Sequence, residues 1–264
     1  MEVVVREAQD SDIEEIIELF CEAGGNPYNW NTEKWRHYYR DYPDGTPISL
    51  VATVNGVIVG HYGLQPIKIG SIPAMLGLHA YVASSQRGLT IISALMKEVD
   101  RACKLSSAKL ICGFANPKFS LIKSTIFKWK VFCWLGFQSG VSKEDYILKK
   151  SKKFYFNHSE AWLEWRFDSK KDHYLSLYLD SENKRHIQLL KFRGDKPQIE
   201  SEKIELWSPR STYSTDQPGR LCQPFSIKVY DAELIQEGIL ECDNWSIDMG
   251  DSDTFQYTPE EGYT

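Results

Sequence analysis

The stretch richest in chemistry runs Val82-Ala83-Ser84-Ser85-Gln86-Arg87-Gly88-Leu89-Thr90-Ile91-Ile92. An apolar strand ends here, a short turn carries an arginine and a glycine, and an amphipathic helix opens. The first turn of a helix leaves N–H groups unpaired and presents the positive end of the macrodipole, so it suits a pyrophosphate. Gly88, with no Cβ, lets the backbone approach a bulky anion closely. Taken alone, the same pattern also serves as a plain strand-to-helix connection. Other reactive side chains are scattered. The six cysteines (Cys21, Cys103, Cys112, Cys133, Cys222, Cys242) form no Cys-x-x-Cys pair. The histidines come in no ligand pairs either, so no metal is expected. Cys133 has no base pattern around it, which argues against an acyl-cysteine intermediate.

Charge narrows the partners. The 264 residues carry 31 basic and 36 acidic side chains, a net charge of −5 with neutral histidines. Such a chain lacks the basic surface that phosphate-backbone recognition needs, so nucleic acid is not an expected partner. The one basic cluster, Lys149, Lys150, Lys152 and Lys153, reads as a solvated linker, with contact to an anionic ligand as the alternative. There is no secretory pattern at the N-terminus and no apolar run long enough for a membrane helix. With scattered, unpaired thiols, this places the protein in a reducing cytoplasm, away from membranes. Hydrophobic residues at 42% and charged residues at 25% exclude general disorder.

The elements that must position the junction follow from periodicity. Val3 to Arg6 is a short β-branched strand. Ser11 with Glu14 reads as a capping box, and Ile13, Ile16, Ile17 and Phe20 recur at helical spacing up to Gly24-Gly25. A short helix is expected around Glu33 to Arg40, within a segment rich in aromatics. Ser49 to Val54 and Val57 to Leu64 flank Asn55-Gly56, the strongest hairpin signal in the chain. Met75 to Val82 is a strand. Leu89 to Cys103 is a helix with Ile91, Ile92, Leu95, Met96, Val99 and Cys103 inward. Lys109 to Phe114 is a strand, followed by Asn116-Pro117. From about Lys149 the chain turns β-rich, with a helix at Ser159 to Phe167 and strands at Tyr174 to Leu179, His186 to Phe192, Ile199 to Trp207, Phe225 to Tyr230 and Trp245 to Met249. The expected division is 1–148 and 149–264.

This order of elements resembles the GNAT superfamily of acyl-CoA-dependent N-acyltransferases. The family's motif, Arg/Gln-x-x-Gly-x-Gly/Ala between its fourth strand and a helix, aligns with Arg87-x-x-Thr90-x-Ile92. Val82 falls where the family has its strand-end valine, Asn116 resembles its asparagine after the next strand, and Leu135-Gly136-Phe137 resembles its Leu-Gly-Phe. The resemblance covers residues 3 to 148. It implies an α/β (α+β) fold with a mixed, mostly antiparallel sheet flanked by helices. It also implies an acyl-CoA co-substrate held by Val82, Arg87, Gly88, Leu89, Thr90, Ile91, Ile92 and Asn116. Thr90 and Ile92 depart from the motif's small residues. Phe132 stands where many members carry a tyrosine general acid.

A finer resemblance rests on Gly60-His61, the aromatic segment before the hairpin, Trp162-Leu163-Glu164-Trp165-Arg166-Phe167 and Gly250-Asp251-Ser252-Asp253. These are similar to bacterial nucleotide-sugar N-acyltransferases of the same superfamily. The implied acceptor is the amine of a dTDP-linked amino-dideoxy sugar destined for O-antigen or capsule, and the implied acyl group is acetyl or hydroxybutanoyl. His79, on the strand beside the implied thioester, is the candidate base, with a hydrogen-bonded structural histidine as the other reading. Asp253 assists proton removal or orients acceptor hydroxyls. Asp251, His61 and Trp30 are candidate substrate contacts, Trp30 by stacking a nucleobase. Glu164 and Arg166 read as an ion pair. A lysine acceptor, with a reference pKa of about 10.4, would carry a handicap of roughly 4–5 kcal/mol near neutrality. A sugar amine asks less of a base. The other functional readings are an N-acetyltransferase for another small amine or a protein, and a non-catalytic coenzyme-binding protein. A homodimer is among the assemblies the sequence allows.

Overall fold

The computed structural model describes residues 2–24, 30–141, 152–167, 174–181, 184–191, 204–210 and 222–247. They pack as two compact units, one of residues 2–68 with 72–113, the other of 69–71 with the described residues from 114 onward. The expected boundary at 148 lies outside the described residues, and the division in space falls earlier, after Gly113.

In the first unit β1 (Val3–Glu7), β2 (Ile48–Val54), β3 (Val57–Ile69), β4 (Ile72–Val82) and β5 (Leu110–Phe114) lie side by side in that order. The pairs β1/β2 and β2/β3 are antiparallel and β4/β5 is parallel. The β2–β3 turn has Asn55 at φ 51° and Gly56 at φ 82°, both in the left-handed region that an Asn-Gly hairpin turn needs. Parallel neighbours need a crossover, and α3 (Leu89–Leu105) supplies it between β4 and β5. All six apolar residues expected on its inner face are buried.

Two further helices complete this unit, α1 (Ile13–Gly24) and α2 (Thr32–Tyr39). The inner face of α1 is Ile13, Ile16, Leu19 and Phe20, so Leu19 takes the buried place expected of Ile17. The turn before α1 is bound by Asp12, whose Oδ2 accepts from Gln9 N at 2.7 Å and from Arg6 Nη1 at 2.6 Å. The capping interaction therefore falls at Gln9 and Asp12, not at Ser11 and Glu14. Alternation along β3 sends Gly60 toward α3 and His61 and Gly63 toward α1 and α2. A Cβ on Gly60 would stand 2.8 Å from Ile91 Cγ2, so the bare backbone lets the start of α3 settle on the sheet.

The second unit holds α4 (Pro117–Ile126), β6 (Lys130–Val141), β7 (Phe154–Tyr155), α5 (Glu160–Phe167), β8 (Tyr174–Ser181), β9 (Lys184–Lys191), β10 (Ile204–Arg210), β11 (Cys222–Val229), α6 (Glu233–Gln236) and β12 (Trp245–Ser246). Strand β6 is flanked by β11 and β10, both antiparallel; β8 and β9 form a separate hairpin, and β7 pairs in parallel with β12. Leu135-Gly136-Phe137 lies within β6. Phe132 packs against Phe225 and Trp245, with ring centroids 5.5 and 5.7 Å away. The expected Glu164–Arg166 pair is corrected: residues two apart on a helix point to different sides, and here Arg166 is buried while Glu164 is exposed. No described helix is long and apolar enough to cross a membrane.

Candidate active site

Strand β4 carries the site because its two halves behave differently. Its parallel ladder with β5 runs from Ala74↔Leu110 to Leu76↔Cys112, while β4 itself continues to Val82. The paired register with β5 ends at Leu76↔Cys112, so the last six residues of β4 lie beyond that ladder. The opposite edge stays tied to β3, with Ala83 N donating to Val59 O at 2.9 Å.

After β4 comes a single 3₁₀ turn, Ser84–Gln86. Glu22 of α1 holds it: the carboxylate accepts from Ser84 N at 2.9 Å and from Ser84 Oγ. These two bonds, helped by nearby Arg87, lower the Glu22 pKa from its ordinary value. Gly88 then caps α3 in an extended conformation, φ 166°, and offers no side chain to the first-turn N–H groups. Gly88, Leu89 and Thr90 are exposed, and a Cβ added to Gly88 would meet nothing within 4 Å. An uncapped helix N-terminus facing open space can bind a diphosphate through backbone donors. Ile91 and Ile92 are buried in the core, so neither can be a side-chain contact to the coenzyme; Ile91 keeps an orphan first-turn N–H, whereas in an α-helix capped at Gly88 the N–H of Ile92 closes the first helical bond.

His79 lies in the later part of β4, three residues before Val82. Its φ is +49°, unusual for a non-glycine residue within a strand. Its ring stands 4.8 Å from Trp30, 4.9 Å from Tyr38, 5.9 Å from Tyr39 and 6.1 Å from Phe20, centroid to centroid. Tyr39 OH lies 2.8 Å from His79 Nδ1. Gly63 makes room for that hydroxyl, since a Cβ there would collide with it. Lys34 Nζ sits 5.2 Å over the Trp30 ring, and burial lowers its pKa to about 8.

Two expected substrate contacts are corrected. His61 is 0% exposed, and both its ring nitrogens are engaged, Nε2 with Ser49 Oγ at 2.9 Å and Nδ1 with His79 O at 2.7 Å. A ring so enclosed touches no substrate. Trp30 is 5% exposed and packs edge-on against Phe20 at 4.8 Å, so it walls the cluster and presents no open face to a nucleobase. Asn116, in the second unit, caps α4 by accepting from Phe119 N at 2.8 Å. Asp251 and Asp253 lie outside the described residues. Sequence reasoning misses Tyr39, Ser49 and Glu22. No local pattern links them to their partners, which are 40, 12 and 62 residues away.

Sequence comparison gives no matching family model and no matching curated protein. Solved structures do resemble the chain. A conserved protein of unknown function from Enterococcus faecalis V583, described as a probable N-acyltransferase, superposes with a TM-score of 0.55 at 9% identity, over 88% of this chain and 73% of its own. A GCN5-related N-acetyltransferase from Kribbella flavida gives 0.54, also at 9% identity, over 88% of this chain and 72% of its own. At this identity the likeness is one of fold, and the fold is the GNAT type.

Proposed function

We propose that the chain is an acyl-CoA-dependent N-acyltransferase of the GNAT superfamily, and that its acceptor is the amine of a dTDP-linked amino-dideoxy sugar. The observation that carries the first half is the end of the β4/β5 ladder at Leu76↔Cys112 ahead of an open, uncapped α3 N-terminus, on a GNAT-type fold. The β4 backbone beyond that ladder, near Val82, would hold the pantetheine amides. The N–H groups of Gly88 to Ile91, with Arg87, would hold the diphosphate. Backbone donors suffice for this, so Thr90 and Ile92 in place of small residues do not remove the site.

In the reaction, the amine nitrogen attacks the thioester carbonyl, the C–S bond breaks, and the coenzyme leaves as a thiolate that takes up a proton from solvent. His79 would accept the proton lost by the amine. Positioning of the two reactants alone can contribute about 7–11 kcal/mol, so a tyrosine at Phe132 is dispensable. The sugar acceptor is supported by the modest basicity of its amine and by the sequence likeness at Trp162 to Phe167. Asp251 and Asp253 would orient its hydroxyls.

The test is thiol release from acetyl-CoA and hydroxybutanoyl-CoA with a dTDP-amino sugar and with the free amino sugar. The proposal expects far slower turnover for the free sugar, in kcat as well as affinity, because binding energy from the nucleotide fixes the amine. Equal rates would transfer the reading to an N-acetyltransferase of small amines. No release with any amine would refute the enzyme.

A further inference from the structure

We propose that the buried pair Ser49 and His61 positions His79, holding its backbone in the left-handed conformation that aims its ring into the aromatic cluster. The inference rests on the reading of His79 as the catalytic base. The polarity of the chain of bonds is fixed by one atom. His79 O is a carbonyl oxygen and only accepts, so His61 Nδ1 carries the hydrogen of their 2.7 Å bond. His61 is wholly buried, and that burial lowers its pKa to about 3, so the ring is neutral and Nε2 is bare. Nε2 must then accept, and Ser49 Oγ–H donates to it at 2.9 Å. Ser49 is itself buried. The direction is therefore Ser49 O–H to His61 Nε2, then His61 Nδ1–H to O=C of His79. His61 is thereby a positioning residue, and not a second base.

The carbonyl it grips is the one whose direction is set by the ψ of His79, next to the unusual φ of +49°. A non-glycine residue stays in this region only when its surroundings hold it there. Here the backbone is held by His61 and the ring by Tyr39 OH at 2.8 Å from Nδ1. Of the titratable and charged groups on the elements around His79, those touching this ring cluster include Lys34, His37, Tyr38 and Tyr39 of α2, His61 of β3 and Tyr81 of β4, while α1, which contributes Phe20, also carries Cys21 and four glutamates. Phe20 and Trp30 supply the remaining walls.

Two substitutions of similar size separate positioning from bulk packing. The amide of H61N stands where His Nδ1 stood, so it keeps a donor for His79 O. The amide of H61Q stands where Nε2 stood, so it keeps Ser49 and loses His79. The readouts are the ¹⁵N-resolved titration of the His79 ring and the pH profile of kcat in thiol release. H61N is expected to stay within about threefold of wild-type kcat, with the His79 ring signals in place. H61Q is expected to lower kcat at least tenfold, move the His79 titration, and leave KM for acyl-CoA within about twofold. Equal behaviour of the two variants, or an unmoved His79 titration in H61Q, overturns the inference. If wild type releases no thiol, the enzyme reading fails, and the ring titration still decides the positioning role on its own.

Discussion

The α3 N-terminus and the His79 cluster sit on the same strand and turn but are built in opposite ways. Around Gly88 the backbone is exposed, regular in φ and free of side-chain caps. Around His79 it is twisted to a positive φ and walled by rings, with partners at 2.7 to 2.9 Å securing the next layer. A diphosphate can be bound by amide groups that every residue carries, so the sequence there can drift from a motif without losing the site. A proton acceptor must be one side chain held in one place, so its surroundings are fixed by specific residues.

The comparison can be broken most sharply at the open end. Gly88→Glu keeps the extended backbone and its Cβ meets no atom within 4 Å, so the fold should persist while coenzyme A binding falls below calorimetric detection. Unchanged affinity would place the diphosphate elsewhere. Acid probes the enclosed end. Burial lowers the His61 pKa to about 3, so the folded state binds fewer protons than the unfolded chain. Its contribution to stability is whole above the ordinary value near 6.5 and declines as pH falls toward 3. Urea unfolding should show this loss, up to about 1.4 kcal/mol per pH unit, and H61N should flatten the slope.

Next in size is the proposed base. His79→Asn retains a polar group near Tyr39 and a residue that tolerates positive φ, so it should fold. Turnover should drop about a hundredfold with acyl-CoA affinity kept. A drop below tenfold would mean that the amine is captured neutral, and the pH–rate profile would then follow the acceptor's own pKa. The smallest effect is at Asn116, whose Oδ1 caps α4. Asn116→Asp keeps the cap and removes the NH₂ group. Stability should hold while coenzyme A affinity falls about twofold to tenfold, the worth of one hydrogen bond. An unchanged affinity would leave Asn116 as a helix cap alone.

Legibility in the sequence follows the same contrast. The turn at Asn55-Gly56, the buried face of α3 and the strand–turn–helix junction at Arg87-Gly88 are local patterns, and neighbouring residues alone suffice to recognise each. Val82 at a strand end and Gly88 ahead of a helix are legible for the same reason. The surroundings of His79 are not, because Tyr39 and His61 reach it through tertiary contacts between α2, β3 and β4. His61 reads as a substrate contact because a histidine within a hairpin strand gives no sign of which face it takes. Trp30 reads as a stacking platform because aromatic content does not say whether a ring is covered, and Phe20 and Tyr38 cover this one. Glu164 and Arg166 show the reverse error, a pairing by charge that helical geometry forbids.

The most direct test of the central claim compares acetyl-CoA with acetyl-pantetheine, which has the same thioester and no diphosphate, by calorimetry on the wild-type protein and on Gly88→Glu. The account predicts that the wild type binds acetyl-CoA far more tightly than acetyl-pantetheine, and that the preference disappears in Gly88→Glu. Equal binding of the two ligands by the wild type would contradict it.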